Sequence, residues 1–332
     1  MKKLLILSLL SLIFCDHLRA QEGIPVYFDY LADNYYLVYP SMAGIGQGGK
    51  MRLTARQQWF DVDNAPNLQT LNAHFRVGER SGVGGILFND SNGFHSQTGF
   101  KGTYAHHLQL AGDFRTLNQL SFGLSAGVIL SSLDETEFRS VIPDPIVTGV
   151  KNTTSYFNVD IGASYNYFEF YAHAAILNIL GTGRDLYTVA EFDNLRRYLL
   201  SAGYVFGKGS FRVEPSFLYQ RTDFTKEQTI DINGKVYKDI NETVTVWGGV
   251  SYRRSFDGAQ FQQDGTLGEQ RLQLFTPIVG LNVNRFLVSY NYSYQSGDIR
   301  LDNGGFHQIT LGYDFGEKAK DRYDCYCPAA NY

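Results

Sequence analysis

Between Leu120 and Leu130 the chain changes character at every residue. Leu120, Phe122, Leu124, Ala126, Val128 and Leu130 take one parity, and Ser121, Gly123, Ser125 and Gly127 take the other. The rhythm returns at Phe157, Val159, Ile161, Ala163 and Tyr165, set against Asn158, Asp160, Gly162 and Ser164. It returns again at Phe286, Val288, Tyr290, Tyr292 and Tyr294, set against Leu287, Ser289, Asn291 and Ser293. Successive side chains of a strand point to opposite faces, so a period of two is a strand signature. Helical spacing does not compete with it anywhere along most of the chain. The fold class expected is therefore all-β.

Alternation fits both a soluble sandwich and a membrane barrel, and three features favour the barrel. The polar-face positions are small (Gly, Ser, Asn, Thr), as the lining of a lumen requires. Aromatics sit at segment ends, at Trp59 and Phe60, Tyr165 and Tyr167, and Tyr290 to Tyr294, where interfacial girdles form. Aromatic residues make up 15% of the chain, a composition that suits strands. Connections also alternate between short and long. Strands are expected near 50–59, 68–77, 82–89, 97–110, 118–130, 154–166, 168–178, 196–206, 211–221, 243–253, 271–283, 285–294 and 306–315. That set is odd in number and would put the last short link, 283–285, on the wrong side. Thr229, Asp231 and Asn233 alternate with Ile230 and Ile232, so a further strand near 226–237 restores parity. The architecture expected is a transmembrane outer-membrane β-barrel of about fourteen antiparallel strands. Short links belong on the periplasmic side. The long links 131–153, 179–195, 254–270 and 295–305 belong outside.

The ends of the chain divide it further. Lys2 and Lys3 precede an apolar run from Leu4 to Phe14, and Ala20 offers a small residue for cleavage. Residues 1–20 read as a signal peptide, the run being too short to span a bilayer as a helix. Residues 21–48 form a Gly- and Pro-containing lead-in, 49–315 the barrel, and 316–332 a hydrophilic tail expected in the periplasm. In the lead-in, glycines permit positive φ and close backbone approach, and Pro40 biases Tyr39 to an extended conformation. A plug or turn beneath the barrel and a flexible linker into the first strand are both compatible with this. The inner positions Gly123, Ser125, Gly127, Gly162, Ser164, Ser201 and Gly203 are small enough to admit an inserted segment. Cys325 and Cys327 sit in the tail, and no multi-disulfide framework can be built from them.

Few residues point to chemistry. Net charge is −4, so no broad basic face invites nucleic acid. By alternation His107 faces inward with Lys101, Thr103 and Gln109, whereas His106 faces out. Glu169 and His173 share the inner face of one strand, where they could form an acid–base pair or simple polar lumen contacts. With His107 and Asp160 they are the candidate polar residues of the lumen. No nucleophile motif accompanies either histidine, no metal-ligand spacing appears, and no phosphate-cradling loop precedes a helix. Asp134, Glu135 and Glu137 read as a solvated acidic loop. No catalytic residue, cofactor or metal is expected, and the protein does not read as an enzyme.

Ordered motifs then suggest a family. Pro40-Ser41-Met42-Ala43-Gly44 is followed by Arg56-Gln57-Gln58-Trp59, and later by "GVGGILFNDSNG" (82–93), "EPSFLYQ" (214–220), "WGGVSYR" (247–253), "LVSYNYSYQ" (287–295) and "FHQITLGYDF" (306–315). In this order the chain resembles the PorP/SprF family of outer-membrane proteins linked to type IX secretion. Pro40, Ala43, Gly44, Arg56, Gln58 and Trp59 carry the lead-in and first-strand motifs. Tyr39 stands where the family usually has Asn, and Ser41 where it often has Ala. The resemblance implies an integral outer-membrane protein acting in type IX secretion and, in some bacteria, gliding motility. The role implied is either a part of the core machine or a dedicated partner that anchors a large secreted adhesin through its C-terminal domain. The partners implied are outer-membrane lipid, that adhesin domain and type IX secretion components. A passive channel for small solutes is the alternative.

Overall fold

The computed structural model describes residues 31–46, 48–58, 64–110, 116–136, 149–181, 195–207, 209–223, 225–263, 266–296 and 305–316, with the side chains of 259–270 left aside. The expected signal peptide, Trp59, Glu137, Cys325, Cys327 and nearly all of the tail lie outside these residues.

Fourteen antiparallel strands close into one barrel, each bonded to its neighbours in sequence and the last to the first. They are β1 (Gly49–Gln58), β2 (Asn67–Val77), β3 (Ser81–Asn92), β4 (His95–Gln109), β5 (Asn118–Asp134), β6 (Lys151–Tyr167) and β7 (Phe170–Leu177). The circuit continues with β8 (Arg197–Tyr204), β9 (Phe211–Thr222), β10 (Gln228–Asn241), β11 (Val244–Gln263), β12 (Thr266–Val283), β13 (Phe286–Ser296) and β14 (Phe306–Phe315). The strand that parity required is β10, within the stretch where the local alternation is short. Closure pairs Gly49 with Phe315 through to Gln58 with Phe306. Across that seam Thr54 and Thr310 share a hydroxyl bond of 3.2 Å, and Arg52 pairs with Asp314 at 2.8 Å. A closed sheet leaves no edge, which is what allows strands to span lipid.

The dyad rhythm has the expected consequence for the wall. On β13, Phe286 is 60% exposed and Val288 48%, whereas Ser289 and Asn291 are each 2% exposed. The outward face is largely apolar or aromatic, including Leu53, Phe100, Leu124, Phe157, Val250 and Leu311. Inward residues are buried and many are polar, such as Thr54, Asn72, Ser125 and Ser289, while apolar ones such as Ile86, Leu199, Leu218 and Trp247 form a cluster with residues 31–45.

The start of β1 and the end of β14 share one rim with the links 78–80, 110–117, 168–169, 205–210, 242–243 and 284–285. The other rim carries the long connections 59–66, 135–150, 178–196 and 297–305. One expected long link is not a loop. Over 254–270, β11 runs on to Gln263 and β12 begins at Thr266, with an irregularity between Arg254 and Gly258. This hairpin extends past Ser255, the last partner of β10, and past Gln273, the last partner of β13. Above the neighbouring strands a hairpin needs backbone pairing but no apolar face. Its sequence therefore lacks the alternation that reveals the wall strands.

Candidate functional site

Residues 31–46 lie inside the barrel, and all of them except the half-buried Leu37 are buried. Two single-turn 3-10 helices, Tyr35–Leu37 and Pro40–Met42, shape the segment. Tyr39 is extended (φ −119, ψ 106) before Pro40, which opens the second turn, as a residue preceding proline should be. Gly44 then adopts φ +68, the left-handed region that a side chain would strain. A Cβ there would also stand 2.7 Å from the Gly82 Cα.

The wall is hollowed to receive this segment. A Cβ on Gly123 of β5 would lie 2.2 Å from the Pro40 carbonyl carbon, and one on Gly82 of β3 would lie 2.1 Å from the Ala43 oxygen. On Gly162 of β6 it would meet Pro40 at 3.1 Å, and on Gly84 it would strike the Tyr36 ring. At Gly82 and Gly123 backbone packs against backbone, and at Gly84 and Gly162 the wall backbone packs against the Tyr36 and Pro40 rings, closeness that the absence of a Cβ permits.

Polar contacts complete the seat. The Tyr36 hydroxyl donates to Thr103 (2.8 Å), which is itself bonded to Ser125, and the Tyr39 hydroxyl donates to Ser201 (2.7 Å). Ser41 and Ser164 share a bond of 2.6 Å. Near the short-link rim the Gly44 amide donates to His74 Nδ1 (2.9 Å). His107 Nε2 donates to the Ala43 carbonyl (3.0 Å), leaving Nδ1 to accept from Ser121 and Gln119. Buried backbone groups outside regular structure need such partners.

A charged knot holds the segment's start. Lys235 of β10 donates to Asp33 at 2.7 Å and lies 3.5 Å from Glu214 of β9. Both carboxylates and the ammonium are almost fully buried. Hydroxyls of Tyr35, Tyr171 and Tyr237 all donate to Glu214. The Trp247 ring faces the Lys235 ammonium at 5.3 Å. A buried carboxylate with three hydroxyl donors and an ammonium nearby is well satisfied. Further ion pairs line the lumen, with Arg253 on Asp231, Arg212 on Asp239 and Lys101 on Asp160.

The sequence-derived residues distribute as follows. Pro40, Ala43 and Gly44 are all within the inner segment, and Pro40 and Ala43 contact the wall as described. Gln58 is buried at the end of β1, and Arg56 stacks on the Phe306 ring at 4.0 Å. His107 and Asp160 are in the lumen, Asp160 being bonded by Lys101 and by the Asn178 amide. His173 is buried among the rings of Tyr35, Tyr39 and Tyr171. Its Nδ1 lies 2.8 Å from Ser164 Oγ, and its Nε2 meets no partner. Glu169 falls in the turn before β7, where its carbonyl accepts from the Val205 amide. The structure does not bring Glu169 to His173; the carboxylate that bonds the inner segment's Tyr35 and the wall's Tyr171 is Glu214. Among the described residues no three His, Cys, Asp or Glu side chains converge to hold a metal.

Sequence reasoning missed Asp33, Glu214 and Lys235. Glu214 and Lys235 are directly opposed across the β9–β10 pair, so a signal was present once the hairpin's register was known. Asp33 comes from a segment with no periodicity and left no such trace.

The model of PorP/SprF, a type IX secretion system membrane protein, matches residues 20–313. The chain belongs to the PorP/SprF family. This PorP/SprF protein is an integral outer-membrane barrel. None of the curated proteins matches it in sequence. Among solved structures it is similar in fold to the TodX monoaromatic hydrocarbon channel deltaS2 mutant, with TM-score 0.50, 8% identity, and coverage of 86% of this chain and 94% of that one. The Ralstonia pickettii toluene transporter TbuX matches with TM-score 0.49 and 11% identity, over 85% of this chain and 93% of that one. The CymD monoaromatic hydrocarbon channel matches with TM-score 0.47 and 11% identity, over 90% and 95%. At such identities the likeness concerns the fold alone.

Proposed function

We propose that this PorP/SprF protein serves type IX secretion as a closed barrel, working through its rim and loops rather than through an open pore. In this role it acts within the core machine or as a dedicated partner that receives a large secreted adhesin by its C-terminal domain and holds it at the cell surface. The observation that carries the reading is the filled lumen. Residues 31–46 of the same chain occupy it and are bonded to β2, β4, β6, β8, β9 and β10. A passive solute channel needs a continuous water path, and a segment so placed opposes one. The secretion role itself rests on family membership.

Co-purification from native outer membranes, with partners identified by mass spectrometry, tests the proposal. Recovery of a secreted protein or of secretion components supports it. Recovery of the barrel alone, together with large steady currents from the purified protein in planar bilayers, would favour the channel and overturn it.

A further inference from the structure

The closed wall has no edge, but the part of the β11–β12 hairpin that stands above its neighbours does. Among the described residues the last partner of β11 on β10 is Thr229, opposite Ser255. Beyond it β11 continues to Gln263, paired with β12 alone. The foot of this extension is braced. The Gln228 amide donates to the Asp257 carboxylate (2.7 Å), the Ser255 hydroxyl donates to the Asp257 carbonyl (2.7 Å), and the Leu272 amide donates to the Ser255 hydroxyl (2.9 Å). The irregularity between Arg254 and Gly258 is thus a bonded bulge and not a frayed ladder. The strands beside β11 on this side stop lower, β10 beginning at Gln228, β9 ending at Thr222 and β8 beginning at Arg197. The β9–β10 turn closes on itself, the Thr222 amide donating to the Glu227 carbonyl. The edge of β11 therefore rises beside a step in the wall.

The backbone of that edge can be assigned. Gln263 pairs with Thr266 around the tip. A pair flanking so short a connection is a hydrogen-bonded one, and bonded and unbonded pairs alternate along an antiparallel ladder. The main-chain groups of Ala259, Phe261 and Gln263 therefore turn to β12, and those of Gly258, Gln260 and Gln262 turn away from it, over the step. Over 258–263 the sequence is Gly-Ala-Gln-Phe-Gln-Gln. It has none of the Lys, other charges or Pro that guard exposed edges. An edge recognises backbone, so its complement is another extended chain. The direction of the edge selects between occupants. Within a barrel wall an edge points around the circumference, so the space beside β11 lies over β10 and β9 of the same barrel. A second barrel in the same membrane meets the outer face of the wall and not this space. An uncharged edge also favours an uncharged run, since a charged one would lose hydration with nothing to pair with. We infer that the edge at 258–263 captures an uncharged extended segment of the secreted protein, adding it to β11 as a further strand. This rests on the reading that the barrel holds such a protein, and it names the surface that does so.

The test compares two double variants of the full-length protein in native outer membranes, Gln260→Pro with Gln262→Pro and Gln260→Ala with Gln262→Ala. Proline at these positions removes amides turned away from β12 and spares the hairpin's own ladder; alanine keeps the amides. Both should show the heat-modifiable gel shift of the unmodified barrel, and hydrogen exchange over 266–272 should stay slow in the proline pair, the hairpin being intact. The amount of secreted protein that co-purifies should fall roughly tenfold or more with the proline pair, two backbone bonds being lost. It should stay within about twofold with the alanine pair. In the unmodified complex, exchange over 258–263 should be slower than in the barrel stripped of its partner. Undiminished recovery with the proline pair, equal loss with the two pairs, or exchange unaltered by the partner overturns the inference and leaves the function proposed above in place. An oligomer of the barrel that the proline pair dissolves would give the edge to a second copy and equally overturn it. Failure to recover any secreted protein with the unmodified barrel overturns the proposed function, and this inference with it.

Discussion

Replacing Lys235 with methionine tests how the inner segment is held. Lys235 is 1% exposed and sits between Asp33 of the segment at 2.7 Å and Glu214 of the wall at 3.5 Å. With an effective dielectric constant of about 20, the Coulomb attraction is roughly 6 kcal/mol for the first contact and roughly 5 kcal/mol for the second. Most of that offsets the cost of taking the charges out of water. The measurable quantity is the penalty for leaving a buried charge alone, about 3–5 kcal/mol when one member of a buried pair is removed. Glu214 keeps three tyrosine hydroxyls after Lys235→Met, whereas Asp33 has near it only that of Tyr237, at 3.4 Å, whose one proton is already given to Glu214 at 2.6 Å. The penalty therefore falls on Asp33, and so on the seated position of the segment. At about 1.4 kcal/mol per factor of ten, the unseated population should rise by roughly two to four orders of magnitude. Planar-bilayer recording reads this as openings absent from the unmodified protein. Asp33→Asn removes the stranded charge, so the double variant Lys235→Met with Asp33→Asn should return most of the way to silence. If Lys235→Met is as silent as the unmodified barrel, or if Asp33→Asn fails to suppress its openings, the charged knot does not hold the segment.

Three other outcomes are expected. Gly123→Val should push the inner segment off β5 and cost about 1–3 kcal/mol as an overpacked contact, whereas Gly102→Ala, which meets nothing within 4 Å, should leave urea unfolding nearly unchanged; equal midpoints for the two would contradict the packing described. Val288→Arg on the lipid face should cost roughly 2–4 kcal/mol and lower folded yield by the heat-modifiable gel shift, while Ser289→Ala, which removes a hydroxyl without a partner, should be well tolerated. Tags placed within 131–153, 179–195 and 254–270 should label on intact cells and tags at 207–209 should not; the reverse pattern would invert the barrel in the membrane.

The wall was readable because lipid outside and polar groups inside impose opposite demands on neighbouring residues. That made Phe286 and Ser289 assignable by parity alone, and parity also recovered β10. The β11–β12 extension was not readable, since Asp257, Gly258 and Gln260 stand where no face has to be apolar. The small wall residues Gly123, Gly162, Ser164 and Ser201 signalled room for something, and the structure shows Pro40, Ser41 and Tyr39 against them. Which atoms would fill the room was hidden. The segment from Leu31 to Ile45 is aperiodic, and its bonds join residues as far apart as Asp33 and Lys235. Only the folded register brings Asp33, Glu214 and Lys235 together.

The bond that shuts the cylinder joins β1 to β14, so Thr54 must wait for Thr310, emerging 256 residues later. The buried tyrosines at 35, 36 and 39 precede both. Along the sequence the contents therefore precede the container, and most of the container precedes its seam. An element bonded to β2, β4, β6, β8, β9 and β10 is harder to thread through a finished ring than to wrap as the ring forms. The early strands would then be laid against it as on a mandrel, their register chosen partly by what they surround. A chain lacking residues 31–46 should accordingly reach the membrane with its strands intact and be slow or inaccurate in closing.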